Sequence, residues 1–266
     1  MDFTRVAAIV PAGGSGDLDG MPKILHPLPN GRSILGQVLF TIKTAGFKTV
    51  VVVVNNYRFQ EQTELHLAEE GFSDSLIFGS QHWRFGAGES VAIGLEKLPA
   101  NQIDTILVAF ADMPMWKPET IKKLLEAHQE AGGAVTLASI KLTESTPETI
   151  KRYGRVLRNV NGEPIDIIEP EDDIKNASEI TTVNPSLYVF DRRWLYRNLH
   201  KVQPRDRNDG FAAEIYLPPL VGIAHNDGAG VTEVPLEDPN EALGINTKED
   251  LELVFGIMTR ASGNSA

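Results

Sequence analysis

Arg5-Val6-Ala7-Ala8-Ile9-Val10-Pro11-Ala12-Gly13-Gly14-Ser15-Gly16 is the stretch whose reading decides the fold. Residues 5–10 are a short apolar run without amphipathic alternation, which reads as a buried strand. The Pro-Ala-Gly-Gly that follows ends it in a loop. Working outward, Ser33 can cap a helix whose apolar positions Ile34, Leu35, Val38, Leu39, Ile42 and Ala45 share one face, closed by Gly46. Residues 49–54 are an uninterrupted β-branched run, again a strand covered on both sides. A Glu-rich helix near 58–70, a strand at 75–79 and a helix near 88–98 follow. The apolar run 103–110 predicts the next strand. Pro118 opens a helix that Gly132-Gly133 closes, and residues 134–140 form the fourth strong strand. Strands alternate with helices from 5 to 140, which implies an α/β fold of parallel βαβ units with right-handed crossovers.

Beyond residue 140 the pattern turns more antiparallel. Residues 154–160 and 164–169 flank Asn161-Gly162, a favoured hairpin turn. An acidic stretch at 169–173 precedes a strand at 181–190. A helix near 191–201, an apolar segment at 211–221 and a short strand at 231–235 come next. Thr247 with Asp250 caps a last helix running to 258. There is no repeat and no linker, so residues 1–266 read as one domain.

The 266 residues carry 25 Lys plus Arg against 36 Asp plus Glu, a net charge of −11. An acidic surface repels a phosphate backbone, so broad nucleic-acid binding is not expected, while a local basic pocket for a small phosphorylated molecule is compatible. The absence of cysteine excludes disulfides, thiolate metal sites and cysteine nucleophiles. No uncharged apolar run is long enough to span a bilayer, and the N-terminus lacks a signal-peptide layout. A soluble, cytoplasmic protein with no membrane partner is the expectation; the oligomeric state is not legible.

The glycine loop sits where open α/β sheets bind ligands, at the carboxyl end of the first strand. It fits neither common phosphate motif. A dinucleotide pattern from Gly14 and Gly16 would need glycine at Asp19, and a P-loop needs Gly-Lys-Ser/Thr, whereas here the lysine follows Pro22. Glycines still let backbone N–H groups approach phosphate oxygens, and Lys23 can reach back toward them. A plain structural turn with a solvated lysine is the alternative. Gln81 follows the third strand and Gly86-Ala87-Gly88 precedes a helix. Asp112, in Phe110-Ala111-Asp112-Met113-Pro114, ends the strongest strand, where its carboxylate could hold a hard divalent cation or serve as a cap. His66 with Glu69 and Glu70 reads as a solvated cluster, His82, Trp83 and Phe85 as loop-shaping residues, Glu171-Asp172-Asp173 as an exposed acidic loop, and Asp17-Leu18-Asp19 as a solvated turn.

Taken in order, these segments resemble the sugar-1-phosphate nucleotidylyltransferases, most closely the N-acetylglucosamine-1-phosphate uridylyltransferase domain. The family's Ala-Gly-x-Gly-Thr-Arg-Met loop followed by Pro-Lys is similar to 12–16 with Pro22-Lys23. Its Gln and Gly-Thr-Gly step resemble Gln81 and Gly86-Ala87-Gly88, and its Gly-Asp-x-Pro resembles 111–114. Tyr153-Gly154-Arg155, Glu169 and Asn184 match further motifs, as do Ala213-Glu214-Ile215-Tyr216-Leu217 and Gly244-Ile245-Asn246.

The resemblance implies a Rossmann-like nucleotidyltransferase: a mostly parallel mixed sheet flanked by helices, with a small β-rich sugar-binding lobe. It implies a nucleotide-binding half at 1–140, a sugar-binding half at 141–246 and a C-terminal helix at 247–258, without the acetyltransferase β-helix domain of the bifunctional enzymes. It implies transfer of a nucleotidyl group from an NTP, UTP being expected, to a sugar-1-phosphate such as N-acetylglucosamine-1-phosphate. Lys23 and Asp112 would be catalytic, and Asp112 with Asn246 would hold Mg²⁺. Ala12, Gly13, Gly14, Gln81, Gly86 and Ala87 would bind nucleotide; Gly154, Glu169 and Asn184 would receive the sugar.

The loop departs from the family. Asp17-Leu18-Asp19-Gly20 stands where Thr-Arg-Met is expected, and the segment to Pro22 is one residue shorter. Two alternatives follow from the departures: a divergent nucleotide- or sugar-phosphate-binding homologue with little turnover, and a glycosyltransferase on the related fold.

Overall fold

The computed structural model describes residues 3–14, 16–73, 75–81, 86–99, 101–169, 179–206 and 213–263. His82, Trp83, Phe85 and the Glu171-Asp172-Asp173 triplet lie outside the described residues.

The elements in chain order are β1 (Val6–Ala12), the two-residue strands β2 (Asp17–Leu18) and β3 (Met21–Pro22), α1 (Ile34–Ala45), β4 (Thr49–Asn55), α2 (Tyr57–Glu69), β5 (Ile77–Gln81) and α3 (Gly86–Lys97). Then come β6 (Thr105–Val108), α4 (Pro118–Ala131), β7 (Val135–Lys141), β8 (Arg155–Arg158), β9 (Pro164–Ile168), β10 (Thr182–Val183) and β11 (Tyr188–Asp191). The chain closes with α5 (Arg192–Asn198), α6 (Pro219–Asn226), β12 (Val231–Pro235) and α7 (Lys248–Gly263).

One mixed sheet carries the order β5-β4-β1-β6-β11-β7-β10-β8-β9, with β12 also paired to β7. The first four strands are mutually parallel. Their apolar runs divide by parity between two cores, because successive side chains point to opposite faces. Val6, Ala8, Val10, Val50, Val52 and Val54 enter the layer that contains α1, α4 and α7. Ala7, Ile9, Val51 and Val53 enter the layer that contains α3, α5 and α6. A strand buried on both faces needs no polar alternation, and the sequence shows none.

The helix ends follow local chemistry. The Ser33 side chain accepts the Gly36 amide and Gly46 takes the left-handed conformation after α1. Pro118 begins α4 and Gly132 closes it in the same way.

Several expectations are corrected. β7 does not lie next to β6; β11 runs between them, antiparallel to both, so the parallel series ends at β6. The strand expected at 181–190 is two strands, interrupted where Ser186 adopts φ +60°. Arg158 pairs with Pro164, so the hairpin loop is five residues, not the dipeptide Asn161-Gly162. Asn159 organises it by accepting from the Asn161 and Glu163 amides. The third strand is shifted to 77–81, which makes Gln81 its last residue, and α3 begins at Gly86, so both glycines lie in its first turn. The apolar segment at 211–221 includes the start of α6, and the last helix runs to Gly263.

Glu70 is not solvated. It is turned onto the start of α1, accepting the Ser33 amide at 2.6 Å, with His66 Nε2 3.2 Å away. The helix N-terminus, with its unpaired N–H groups, draws the carboxylate there. Among the described residues no helix is long and apolar enough to cross a membrane.

Candidate active site

Parallel pairing of β1 with β6 sets Ile9 opposite Val108, so the loops leaving the two strands emerge side by side. The amide of Ala111 donates to the Pro11 carbonyl at 3.1 Å and continues that contact past the strand ends. After the glycine loop the chain makes a tight hairpin. Asp19 (φ +56°) and Gly20 (φ +80°) form the two-residue turn between β2 and β3, an Asp-Gly pair that tolerates the left-handed conformation at both positions. Leu18 is buried beneath it, and Asp17 accepts the Gly20 amide. Asp17 and Asp19 are exposed on this turn, as expected, and the turn is part of an ordered hairpin.

That hairpin delivers Lys23, whose amide donates to Gly16 O at 2.9 Å. Its side chain is 10% exposed, and its ammonium donates to Asp112 Oδ2 at 2.7 Å and to Asn246 Oδ1 at 2.9 Å. The main chain that carries both oxygens is held in place. The Ile245 amide donates to Asp112 O, which joins the two loops. The Asn246 and Thr247 amides donate to Asp250 Oδ2, and the Asp250 amide returns a bond to Thr247 Oγ1. This is the expected capping box at the head of α7.

Two side-chain oxygens converging on one buried cation form a donor set that a hard divalent ion accepts. Among the described residues there is no cluster of three or more His, Asp or Glu that could hold a metal. A Mg²⁺ here would therefore have Asp112 and Asn246 as its protein ligands, with water or phosphate oxygens for the rest, which suits that ion.

On the other side of the glycine loop, Gln81 is 3% exposed and its Oε1 accepts from Ser90 Oγ at 2.6 Å. The opposite end of the amide lies against Gly13, where a Cβ would be 2.6 Å from Gln81 Nε2. Gly13 is thus needed for close approach. Gly14 has open space instead, with nothing within 4 Å of a Cβ position. Ala12 is buried in the core, so only its backbone faces the loop.

Gly86 and Gly88 are crowded by a segment far along the chain. A Cβ on Gly86 would lie 2.8 Å from the Ile215 carbonyl, one on Gly88 would overlap the Ile215 side chain, and the Gly88 amide donates to Ile215 O at 2.8 Å. Ala87 packs against the second core. This helix turn holds residues 214–215 in place.

The predicted sugar set also comes together. The Asn184 amide donates to Gly154 O at 2.8 Å, and a Cβ on Gly154 would meet Glu169 Oε1 at 3.0 Å. The Asn184 side chain is 2% exposed; its Nδ2 donates to the Tyr188 hydroxyl and its Oδ1 accepts the Ser186 amide. Burial pushes the Tyr188 hydroxyl far up in pKa, and the Glu169 charge adds to this, so it stays protonated. Sequence reasoning missed Ser90 and Tyr188, since neither has a spacing that ties it to its partner. It quoted Tyr153 without a role; the hydroxyl proves to be a strut to the 242–246 turn.

Residues 8–197 match the model of the MobA-like NTP transferase domain. The chain belongs to that family. The bifunctional protein GlmU of Micrococcus luteus is 32% identical over 257 residues, covering 92% of this chain and 50% of its own. GlmU of Corynebacterium aurimucosum is 31% identical over 261 residues, with 97% and 51% covered. The chain therefore spans about half the length of the curated relatives it matches.

Two solved structures share the fold. A 4-diphosphocytidyl-2C-methyl-D-erythritol synthase from Anaerococcus prevotii has a TM-score of 0.65 at 15% identity, with 96% of each chain covered. A CMP:2-keto-3-deoxy-manno-octonic acid synthetase complexed with CTP has a TM-score of 0.66 at 18% identity, with 97% of this chain and all of that one covered. The Rossmann-like nucleotidyltransferase architecture stands. The acidic loop of this family member is itself engaged: Asp19 pairs with Lys248 in the first turn of α7.

Proposed function

We propose that this NTP transferase moves a nucleoside monophosphate from an NTP, with UTP the expected donor, to a sugar-1-phosphate such as N-acetylglucosamine-1-phosphate. The observation that carries the reading is the convergence of Lys23, Asp112 and Asn246 beneath the glycine loop, on one cation position at the carboxyl end of the sheet. A sugar-phosphate oxygen attacks the α-phosphorus. The new O–P bond forms as the α–β bridging P–O bond breaks, and pyrophosphate leaves with the electron pair. Such a transfer needs alignment of two anions and cancellation of their repulsion more than covalent help.

In this scheme the backbone of Gly13 and Gly14 and the Gln81 amide hold the nucleotide, and Lys23 neutralises phosphate charge. Gly86 and Ala87, in the first turn of α3, complete the nucleotide set, while Gly86 and Gly88 hold Ile215 beside that turn. Gly154, Glu169 and Asn184 receive the sugar, which assigns residues 1–140 to the nucleotide and 141–246 to the acceptor. Asp112 and Asn246 would hold Mg²⁺, which would supply neutralisation of phosphate charge when bound.

A panel of NTPs and sugar-1-phosphates, with Mg²⁺ and read by pyrophosphate release, tests this. Release with one pair supports the reading. Silence across the panel with nucleotide still bound by calorimetry would favour a binding protein, the reading that the acidic residues Asp17 and Asp19 in the loop support.

A further inference from the structure

We propose that the Lys23 ammonium and a divalent cation are alternative occupants of one seat, so that metal enters only as Lys23 swings out. The seat itself is read from the geometry; that the displaced ammonium then serves the phosphates rests on the proposed nucleotidyl transfer. Asp112 Oδ2 and Asn246 Oδ1 lie 2.7 and 2.9 Å from Nζ. A Mg²⁺ would sit about 2.1 Å from the same oxygens. Both cations would crowd onto the same two oxygens, and one carboxylate cannot neutralise three positive charges at that separation.

The loops that carry the two oxygens are anchored through their main chain. Asp112 is bonded through its carbonyl to Ile245, and Asn246 through its amide to Asp250. Lys23 is the movable one, with four rotatable bonds in its stem. That stem runs along Gly16, whose Cβ position is 3.5 Å from Lys23 Cδ and Cε. Gly14, two residues earlier in the same loop, has open space at its Cβ position, where a phosphate could approach the backbone. A seat with a single formal negative charge binds a bare divalent ion only weakly; when nucleotide phosphate is also present, the displaced ammonium moves onto it.

Mn²⁺ binding to the whole protein without nucleotide, followed by electron paramagnetic resonance, tests the exchange. Lys23→Met should bind Mn²⁺ at least about tenfold more tightly than wild type. Lys23→Arg, whose guanidinium still spans the two oxygens, should bind no more tightly than wild type. Adding Asp112→Asn to Lys23→Met should abolish the gain. An unchanged affinity in Lys23→Met, an equal gain in Lys23→Arg, or a gain that survives Asp112→Asn overturns the proposal.

Should Lys23→Met fail to fold, amine labelling of wild type gives a second readout. Lys23 should be protected from trinitrobenzenesulfonate in the free protein and labelled at saturating Mn²⁺; labelling that Mn²⁺ leaves unchanged overturns the exchange. None of these measurements uses a sugar or an NTP, so a silent pyrophosphate panel would remove the activity and leave the seat standing.

Discussion

The Tyr153 hydroxyl donates to the Ala242 carbonyl at 2.8 Å, across 89 residues of sequence. It joins the entrance of β8, where Gly154 meets Glu169, to the turn that carries Asn246. A Cβ on Gly244 would lie 3.3 Å from the same hydroxyl. Burial pushes the phenol well above its usual pKa, with the Asp112 charge acting in the same direction, so it remains a donor. The two halves of the site are thereby held in register.

Tyr153→Phe removes that bond and leaves the ring. We expect a loss of about 1 kcal/mol in urea unfolding, with a lower kcat for pyrophosphate release, because the Asn246 turn is loosened. An unchanged kcat would show that the bonds to Asp112 and Asp250 hold the turn without it.

Asp112→Ala deletes one of the two oxygens on the cation position. Pyrophosphate release should fall at least about 100-fold, as it does when a preorganised charge at a reacting centre is removed. The circular dichroism spectrum should be retained. Wild-type rates in this variant would sink the metal assignment.

Gly88→Val and Gly14→Ala form a matched pair. The valine would overlap Ile215, and overpacking of this kind costs about 2 kcal/mol. The alanine meets nothing within 4 Å, so stability should change by less than about 0.5 kcal/mol. Calorimetry should nevertheless show weaker NTP binding in Gly14→Ala, since its methyl stands where phosphate would approach the backbone. Equal NTP affinity in Gly14→Ala and wild type would place the phosphates elsewhere.

Arg192→Leu tests a structural cation far from the chemistry. The guanidinium donates to the carbonyls of Leu95, Leu98, Pro99 and Ile103, closing the end of α3. Its removal leaves buried acceptors without donors, and we expect at least about 3 kcal/mol of lost stability. A chemical-denaturation midpoint near that of wild type would show that water replaces it.

His128 predicts a pH dependence. Burial lowers its pKa below the usual 6.5, although the charge of Asp191 acts the other way, and the neutral ring bonds Thr136 Oγ1 at 3.0 Å. The unfolded chain therefore binds this proton more readily than the native one. The contribution to stability is present above about pH 6.5 and is lost as pH falls through the folded value. Urea midpoints at pH 7.5 and pH 5 should differ less in His128→Gln than in wild type.

Much of the fold was legible because its signals are local. Ser33 and Gly46 bound α1, Pro118 and Gly132 bound α4, and Thr247 with Asp250 opens α7, each within a few residues of its partner. The strand read across 181–190 shows where that logic stops: its run looks extended, but Asn184 turns inward to Tyr188 and Ser186 takes a left-handed backbone. Gly86 and Gly88 show it again. Their spacing resembles a ligand-binding step, yet what crowds them is Ile215, more than 120 positions away and invisible to any short window.

By itself the sequence determined the α/β alternation, the glycine loop with its displaced lysine, and the ordered motifs that mark a nucleotidyltransferase. It could do so because periodicity, capping and residue chemistry act over a few neighbours. Only the tertiary structure decided that β11 separates β6 from β7, and that Lys23 rests on Asp112 and Asn246, which lie 89 and 223 positions away in the chain. Those choices depend on how two buried sheet faces pack and on where an ammonium finds its oxygens, and neither quantity is written in any local stretch of residues.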